Sequence, residues 1–158
     1  MLSQQIQTLI DKELKKYPVD QKQSAVMSAL RFVQEEKGWI SEDDMTDVAE
    51  YLGMPQIAVY EIATFYHMYN LKPMGKHTLT VCTNLSCQLM GANETLDYLK
   101  AKLGIGLGEV TADGKFGLRN AECMGACVEA PLLTVNNNRL CSRLTPEKID
   151  QIIAGLDK

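Results

Sequence analysis

The stretch HTLTVCTNLSC, residues 77–87, is where the chain changes its period. Its first six residues alternate polar and apolar side chains, the pattern of a strand with two different faces. Cys82 ends that strand and Cys87 opens the next segment, so two thiols at C-x4-C spacing straddle a strand-to-helix loop. The following segment, QLMGANETLDYLKAKLG (88–104), reads as a helix closed by Gly104. Further on, KFGLRNA, LLTV and RLCSRL read as short strands, the last two joined by a tight turn at NNN. TPEKIDQIIAGL reads as a final helix, with Thr145 as N-cap and Pro146 in the first position.

Before residue 70 the period is helical throughout. Leu2, Ile6, Leu9, Ile10 and Leu14 share one face behind a Ser3 cap, and Pro18 ends that segment. A second helix is expected from about Asp20 to Lys37, stopped by Gly38. Ser41 and Asp44 have capping-box spacing for a third helix that ends at Leu52 before Gly53. Pro55 suits the first turn of a fourth, whose apolar stripe (Ile57, Val59, Tyr60, Ile62, Ala63, Phe65, Tyr66) is too broad for an ordinary surface helix. That stripe implies either a central place in a helical lobe or a covering partner. The expected organisation is therefore α+β: a helical docking lobe over 1–72, then a sheet domain over 73–158. Strand, helix, strand, hairpin, helix is the thioredoxin-like order, which other α+β sheets share.

Bulk properties exclude several classes. The 158 residues carry a formal net charge of −4, which gives no electrostatic footprint for nucleic acid. No apolar run approaches the roughly 20 residues of a membrane span. The opening MLSQQIQTLIDKELKK mixes polar and apolar residues at helical spacing, unlike a secretory signal. A cytosolic protein without direct membrane insertion is expected, in which clustered cysteines mean metal or redox chemistry more often than disulfides. Charge is uneven: 6 Lys and Arg face 11 Asp and Glu in residues 1–70, against 10 and 9 afterwards. A solvated acidic face explains that; an acidic docking surface is the functional alternative.

All five cysteines, Cys82, Cys87, Cys123, Cys127 and Cys141, lie in the second half. Parallel pairing of the first two strands would bring the ends carrying the C-x4-C and C-x3-C pairs to one sheet edge. Structural zinc prefers knuckles with two intervening residues, so these intervals argue against it without excluding it. A thioredoxin-type dithiol needs a C-x-x-C, which the chain lacks. A [2Fe–2S] cluster takes two thiolates per iron and tolerates wider loops. A helix start after Cys87, close backbone approach at Gly125 and Ala126, and few acids in 123–128 suit such a negatively charged group, or any buried thiolate site.

At these residues the chain resembles the thioredoxin-like [2Fe–2S] subunit of bacterial respiratory NADH:quinone oxidoreductase, complex I, the subunit given the letter E. The likeness runs through VCTNLSC, LGIGLGEVTADGKF, ECMGAC, EAP and LTPE, and upstream through EKGWI and VYEIATFYHMY. It implies a thioredoxin-like [2Fe–2S] ferredoxin domain with a mixed four-stranded sheet and flanking helices. It also implies one cluster held by Cys82, Cys87, Cys123 and Cys127, as metal and cofactor ligands, with no catalytic residue besides. The implied enzyme is the oxidoreductase and quinone-linked translocase as a whole, in which this chain is an electron carrier. FMN and NADH would lie on a partner flavoprotein subunit, with a multi-cluster iron–sulfur subunit as neighbour. The implied place is peripheral, on the cytoplasmic side of the inner membrane. Related chains serve NAD-reducing hydrogenases and NAD-dependent formate dehydrogenases. A zinc-stabilised binding module and a cytosolic thiol oxidoreductase are the readings from other classes.

The remaining candidates have plainer readings. Tyr60, Phe65, Tyr66 and Tyr69 are expected to be mostly helical core, with one or two as interface anchors. Trp39 is a packing anchor, His67 and His77 are non-ligands, and Cys141 is a small core residue. Met124 would shield the cysteine loop from water. Pro131 is a candidate for a cis peptide bond.

Overall fold

The computed structural model describes residues 1–157. Backbone contacts divide it into two compact units, Met1–Pro73 and the segment from Met74 onward.

The first unit contains α1 (Gln4–Leu14), a 3₁₀ turn (Lys22–Ala25), α2 (Val26–Lys37), α3 (Glu42–Leu52) and α4 (Gln56–Phe65). Ser3 Oγ accepts from the Ile6 amide and starts α1 as its spacing requires. The second helix begins later than the apolar pattern implies, because Lys22–Ala25 wind more tightly before the α-helix proper starts at Val26. Gly38 and Gly53, both in the left-handed region, close α2 and α3. The capping box is complete: Ser41 Oγ accepts from Asp44 N–H, and the Asp44 carboxylate accepts from Ser41 N–H at 3.0 Å and Ser41 Oγ–H at 2.7 Å. Lys37 also pairs with this buried carboxylate. Burial pushes the Asp44 pKa up, but the bonds from Lys37 and Ser41 outweigh it and hold the group below the usual carboxylate range.

Ile6, Ile10, Leu30, Val33, Val48 and Val59 form the centre of this unit. Each fully buried aliphatic side chain contributes about 1.5–3 kcal/mol. The segment after α4 is tied back across α2 by Tyr69 Oη donating to the Met27 carbonyl (2.9 Å) and Gln34 Nε2 donating to the Met68 carbonyl (2.9 Å). Burial pushes the Tyr69 phenol up to about 12. Two expectations fail here. Pro55 is the N-cap of α4 rather than a first-turn residue. Of the four aromatics read as mostly core, Tyr69 alone is buried, whereas Tyr60, Phe65 and Tyr66 are exposed. The α4 stripe is broad because just Val59 and Ala63 are buried along the helix itself.

The second unit has a four-stranded mixed sheet in the order β2-β1-β3-β4: β1 (His77–Cys82), β2 (Phe116–Ala121), β3 (Leu133–Val135) and β4 (Arg139–Cys141). β1 pairs parallel with β2 and antiparallel with β3, which pairs antiparallel with β4. The helix expected over 88–104 is two helices: α5 (Leu85–Leu89) ends at Met90, and Gly91 at φ +94° turns the chain into α6 (Ala92–Leu103). That conformation disfavours any side chain, so the break is built into the glycine. Leu79, Val81, Leu118, Leu133 and Val135 form the main core with α6 and α7 (Pro146–Leu156). Cys141 is buried in that core, as its strand position implies. The turn at 136–138 uses left-handed Asn136 and Asn137. The Ala130–Pro131 peptide is cis. Gly117 is required by packing, since a Cβ there would lie 2.1 Å from the Met74 carbonyl oxygen.

Candidate metal centre

Parallel pairing in register places Cys82 opposite Ala121, so both cysteine loops leave the sheet at one edge. Alternation along β1 turns Leu79 and Val81 into the main core and leaves Cys82 on the other face. There Cys82 and Cys87 join Ala92, Ala130 and Leu132 in a separate small apolar cluster, against which Met124 and Ala126 pack. The ladder continues past the strand: Cys82 N–H donates to the Leu132 carbonyl (3.1 Å) and Thr83 N–H to the Ala121 carbonyl (3.0 Å). Side chains tie the loops further. Asn84 Nδ2 donates to Glu122 Oε2 at 2.9 Å, and Asn120 Nδ2 to Thr83 Oγ1 at 3.1 Å. The 142–144 segment closes behind, with Arg143 N–H donating to the Glu129 carbonyl and Leu144 N–H to the Pro131 carbonyl.

The four thiols form two pairs. Cys123 Sγ and Cys127 Sγ are 3.5 Å apart and exposed. Cys82 and Cys87 are buried together in the small apolar cluster. Burial first, then the neighbouring Cys82, push the Cys87 thiol up to about 12, with Cys127 and Cys123 adding smaller repulsions. The bond and charge of Cys123 raise the Cys127 thiol, opposed in part by a hydrogen bond from Ser86. Thiols such as Cys87 and Cys127, whose ionisation neighbouring sulfurs penalise, suit a site that supplies positive charge. Among the described residues, no three His, Cys, Asp or Glu side chains gather as around a single ion. Two pairs of thiols suit two irons, each taking one pair, better than one tetrahedral zinc. The residues fit a [2Fe–2S] cluster.

The site also differs from its sequence reading. Cys87 lies in the first turn of the short α5 instead of preceding a helix start. The backbone donor is Gly125, whose N–H reaches Cys123 Sγ at 3.4 Å. Ser86, Asn84 and Glu122 went unremarked because loop hydrogen bonding leaves no periodic trace. His77 sits on Phe116 at the opposite end of β1 and takes no part. Cys141 likewise lies outside the group, in the main core. The rim is apolar and open to solvent: Leu85, Leu89, Met90 and Val128 are all exposed, Val128 at 94%.

The chain is similar to known proteins. The model of the thioredoxin-like [2Fe–2S] ferredoxin family matches residues 10–157. The E subunit of the NADH-quinone oxidoreductase of Rickettsia bellii is 44% identical over 94% of this chain and 89% of its own length. NADH-quinone oxidoreductase subunit 2 of Thermus thermophilus is 40% identical over 95% of this chain and 83% of its own. A crystal structure of an NAD⁺-reducing [NiFe]-hydrogenase superposes with a TM-score of 0.71 over 84% of this chain. At 20% identity, and with 23% of the hydrogenase chain covered, that likeness concerns the fold alone. By the family match over nearly its whole length, and by relatives at 40% identity and more, this chain belongs to the thioredoxin-like [2Fe–2S] ferredoxin family.

Proposed function

We propose that this chain is the [2Fe–2S] subunit of the NADH dehydrogenase module of an NADH–quinone oxidoreductase, with Cys82, Cys87, Cys123 and Cys127 as the ligands. The observation that carries the reading is the convergence of these four thiols, and no histidine, at one sheet edge in a chain so similar to subunits of that enzyme. A [2Fe–2S] cluster, when bound, supplies one-electron transfer. The residues do the rest. Cys82 and Cys87 anchor from the buried side, while Cys123 and Cys127 hold the solvent side. Met124 and Ala126 pack beside the buried pair, and Gly125 N–H donates to sulfur. None of these residues offers a hydride acceptor or a general base, so NADH oxidation belongs to a partner.

The proposed partner is a flavoprotein subunit carrying FMN and the NADH site, beside a multi-cluster iron–sulfur subunit. Two exposed apolar areas support docking. One is the rim of Leu85, Leu89, Met90 and Val128, and the other is the α4 face of Ile57, Tyr60, Phe65 and Tyr66. Apolar residues left uncovered on a chain of this size mark surfaces that a partner closes. The helical lobe, residues 1–72, is proposed as the docking lobe, and 73–158 as the cluster domain. Among the described residues no helix is long and apolar enough to cross a membrane. A peripheral position on the cytoplasmic side of the inner membrane is proposed with the complex.

Mixing the purified chain with the flavoprotein subunit and NADH under anaerobic conditions tests the reading. The visible bands of this chain should bleach when both are present and stay unchanged with NADH alone. Bleaching by NADH without the flavoprotein would contradict the division of labour.

A further inference from the structure

The backbone ladder between β1 and β2 ends just where the two cysteine loops begin. Its last bond runs from Thr83 N–H to the Ala121 carbonyl at 3.0 Å. Beyond it, no backbone bond among the described residues joins segment 83–91 to segment 122–130. Side chains carry the ladder one step further. Asn84, the residue after Thr83, donates from Nδ2 to Oε2 of Glu122, the residue after Ala121, at 2.9 Å. An ionised carboxylate can only accept, so the amide is the donor of this pair. Thr83 is itself fixed, because its hydroxyl accepts from Asn120 Nδ2 at 3.1 Å and its carbonyl from Gln88 Nε2 at 2.9 Å. Glu122 directly precedes Cys123, one of the two exposed thiols.

We propose that Asn84 is a positioning residue of the metal centre: through Glu122 it holds the loop that presents Cys123 against the loop between Cys82 and Cys87, and so slows loss of the cluster. The proposal rests on the reading that the four cysteines hold a [2Fe–2S] cluster. Each loop would supply two of the ligands, so the cluster stays bound while the loops keep their spacing. Cys82 and Cys87 are fixed by burial, whereas Cys123 and Cys127 are exposed and depend on how their loop is held. A carboxylate next to a ligand of a negatively charged group repels it, so Glu122 supports the site through the bond it makes and not through its charge. That bond is charge-assisted but exposed, and water replaces part of it when the donor is removed. Breaking it is expected to speed the release of iron by about threefold to tenfold.

The test removes the bond and then rebuilds it in the full-length, cluster-loaded chain. Asn84→Leu takes away the donor at similar size without altering charge. Asn84→Asp combined with Glu122→Gln restores the bond with its donor reversed and the charge of the pair unchanged. Iron and sulfide are measured first, and loss of the visible bands to excess EDTA is then timed for both variants and the unsubstituted chain. The expected result is release about threefold to tenfold faster from Asn84→Leu, and a rate near that of the unsubstituted chain from the exchanged pair. Where Asn84→Leu holds no iron at all, a loaded exchanged pair with that same slow release supports the role as well. An unchanged rate in Asn84→Leu, an exchanged pair that releases iron faster than the unsubstituted chain by that same factor, or failure of both variants to load, would overturn it. Absence of iron and sulfide from the unsubstituted chain would instead count against the cluster reading itself.

Discussion

Replacing Phe65 with Ser removes a large apolar surface that does nothing visible for the lobe that carries it. Phe65 is 80% exposed at the end of α4 and touches Tyr66 edge-on at a ring separation of 5.1 Å. A Phe side chain offers roughly 150–250 Å². Four-fifths of that, at about 25 cal/mol per Å², sets a ceiling of ~3–5 kcal/mol if a partner buries it completely. Ordering costs and imperfect fit reduce the realised value to about 2–3 kcal/mol, or roughly 30- to 150-fold in Kd. Folding should barely notice, because exposed substitutions usually change stability by less than about 0.5 kcal/mol. The assay is calorimetric titration of the full chain with the flavoprotein subunit, with Val19→Ser as control, since Val19 is similarly exposed elsewhere on the same unit. Phe65→Ser should weaken binding within that range and Val19→Ser should not. An unchanged Kd for Phe65→Ser, or equal weakening by both, would refute the assignment of the α4 face to docking.

Three further outcomes follow from the geometry. Cys127→Ala should lose the cluster, while Cys141→Ala keeps it and costs about 1 kcal/mol of core packing; full iron in the first variant would show the ligand set to be wrong. Asp44→Asn should destabilise the helical unit by about 1–2 kcal/mol at neutral pH, read by urea unfolding through Trp39, the chain's one tryptophan. The Asp44 pKa is depressed in the fold, so its contribution is complete above the ordinary value of 3.8 and is lost as pH falls through the lower folded value. The gap between Asp44→Asn and the unsubstituted chain should therefore close in acid, and a gap independent of pH would contradict the pairing. Gly117→Ala should cost at least about 2 kcal/mol by circular dichroism in urea, since its methyl group would collide with the Met74 carbonyl; a neutral result would mean that this packing yields easily.

Local signals in the sequence translated well into structure. Ser3, Ser41 with Asp44, Gly38, Gly53 and Thr145 each mark a helix end, because capping depends on one side chain and a few neighbouring amides. β1 was legible from its alternation, and the meeting of the cysteine loops followed from parallel pairing with β2. Gly91 is where the pattern misled: the apolar spacing runs on through it, and backbone conformation alone ends α5 there. The aromatics of α4 misled differently. Hydrophobicity favoured burial, but the fold of this unit leaves these residues uncovered. The donor to sulfur, Gly125 N–H, follows from loop geometry, which no spacing rule encodes.

Whether Cys82, Cys87, Cys123 and Cys127 together hold a [2Fe–2S] cluster is tested most directly by an anaerobic visible spectrum of the purified chain, with iron, sulfide and zinc analysis on the same sample. About two irons and two sulfides per chain, with visible bands that bleach on dithionite, is the expected result. A colourless protein carrying one zinc and no sulfide would contradict it: the fold would stand, and the electron-carrier function would not.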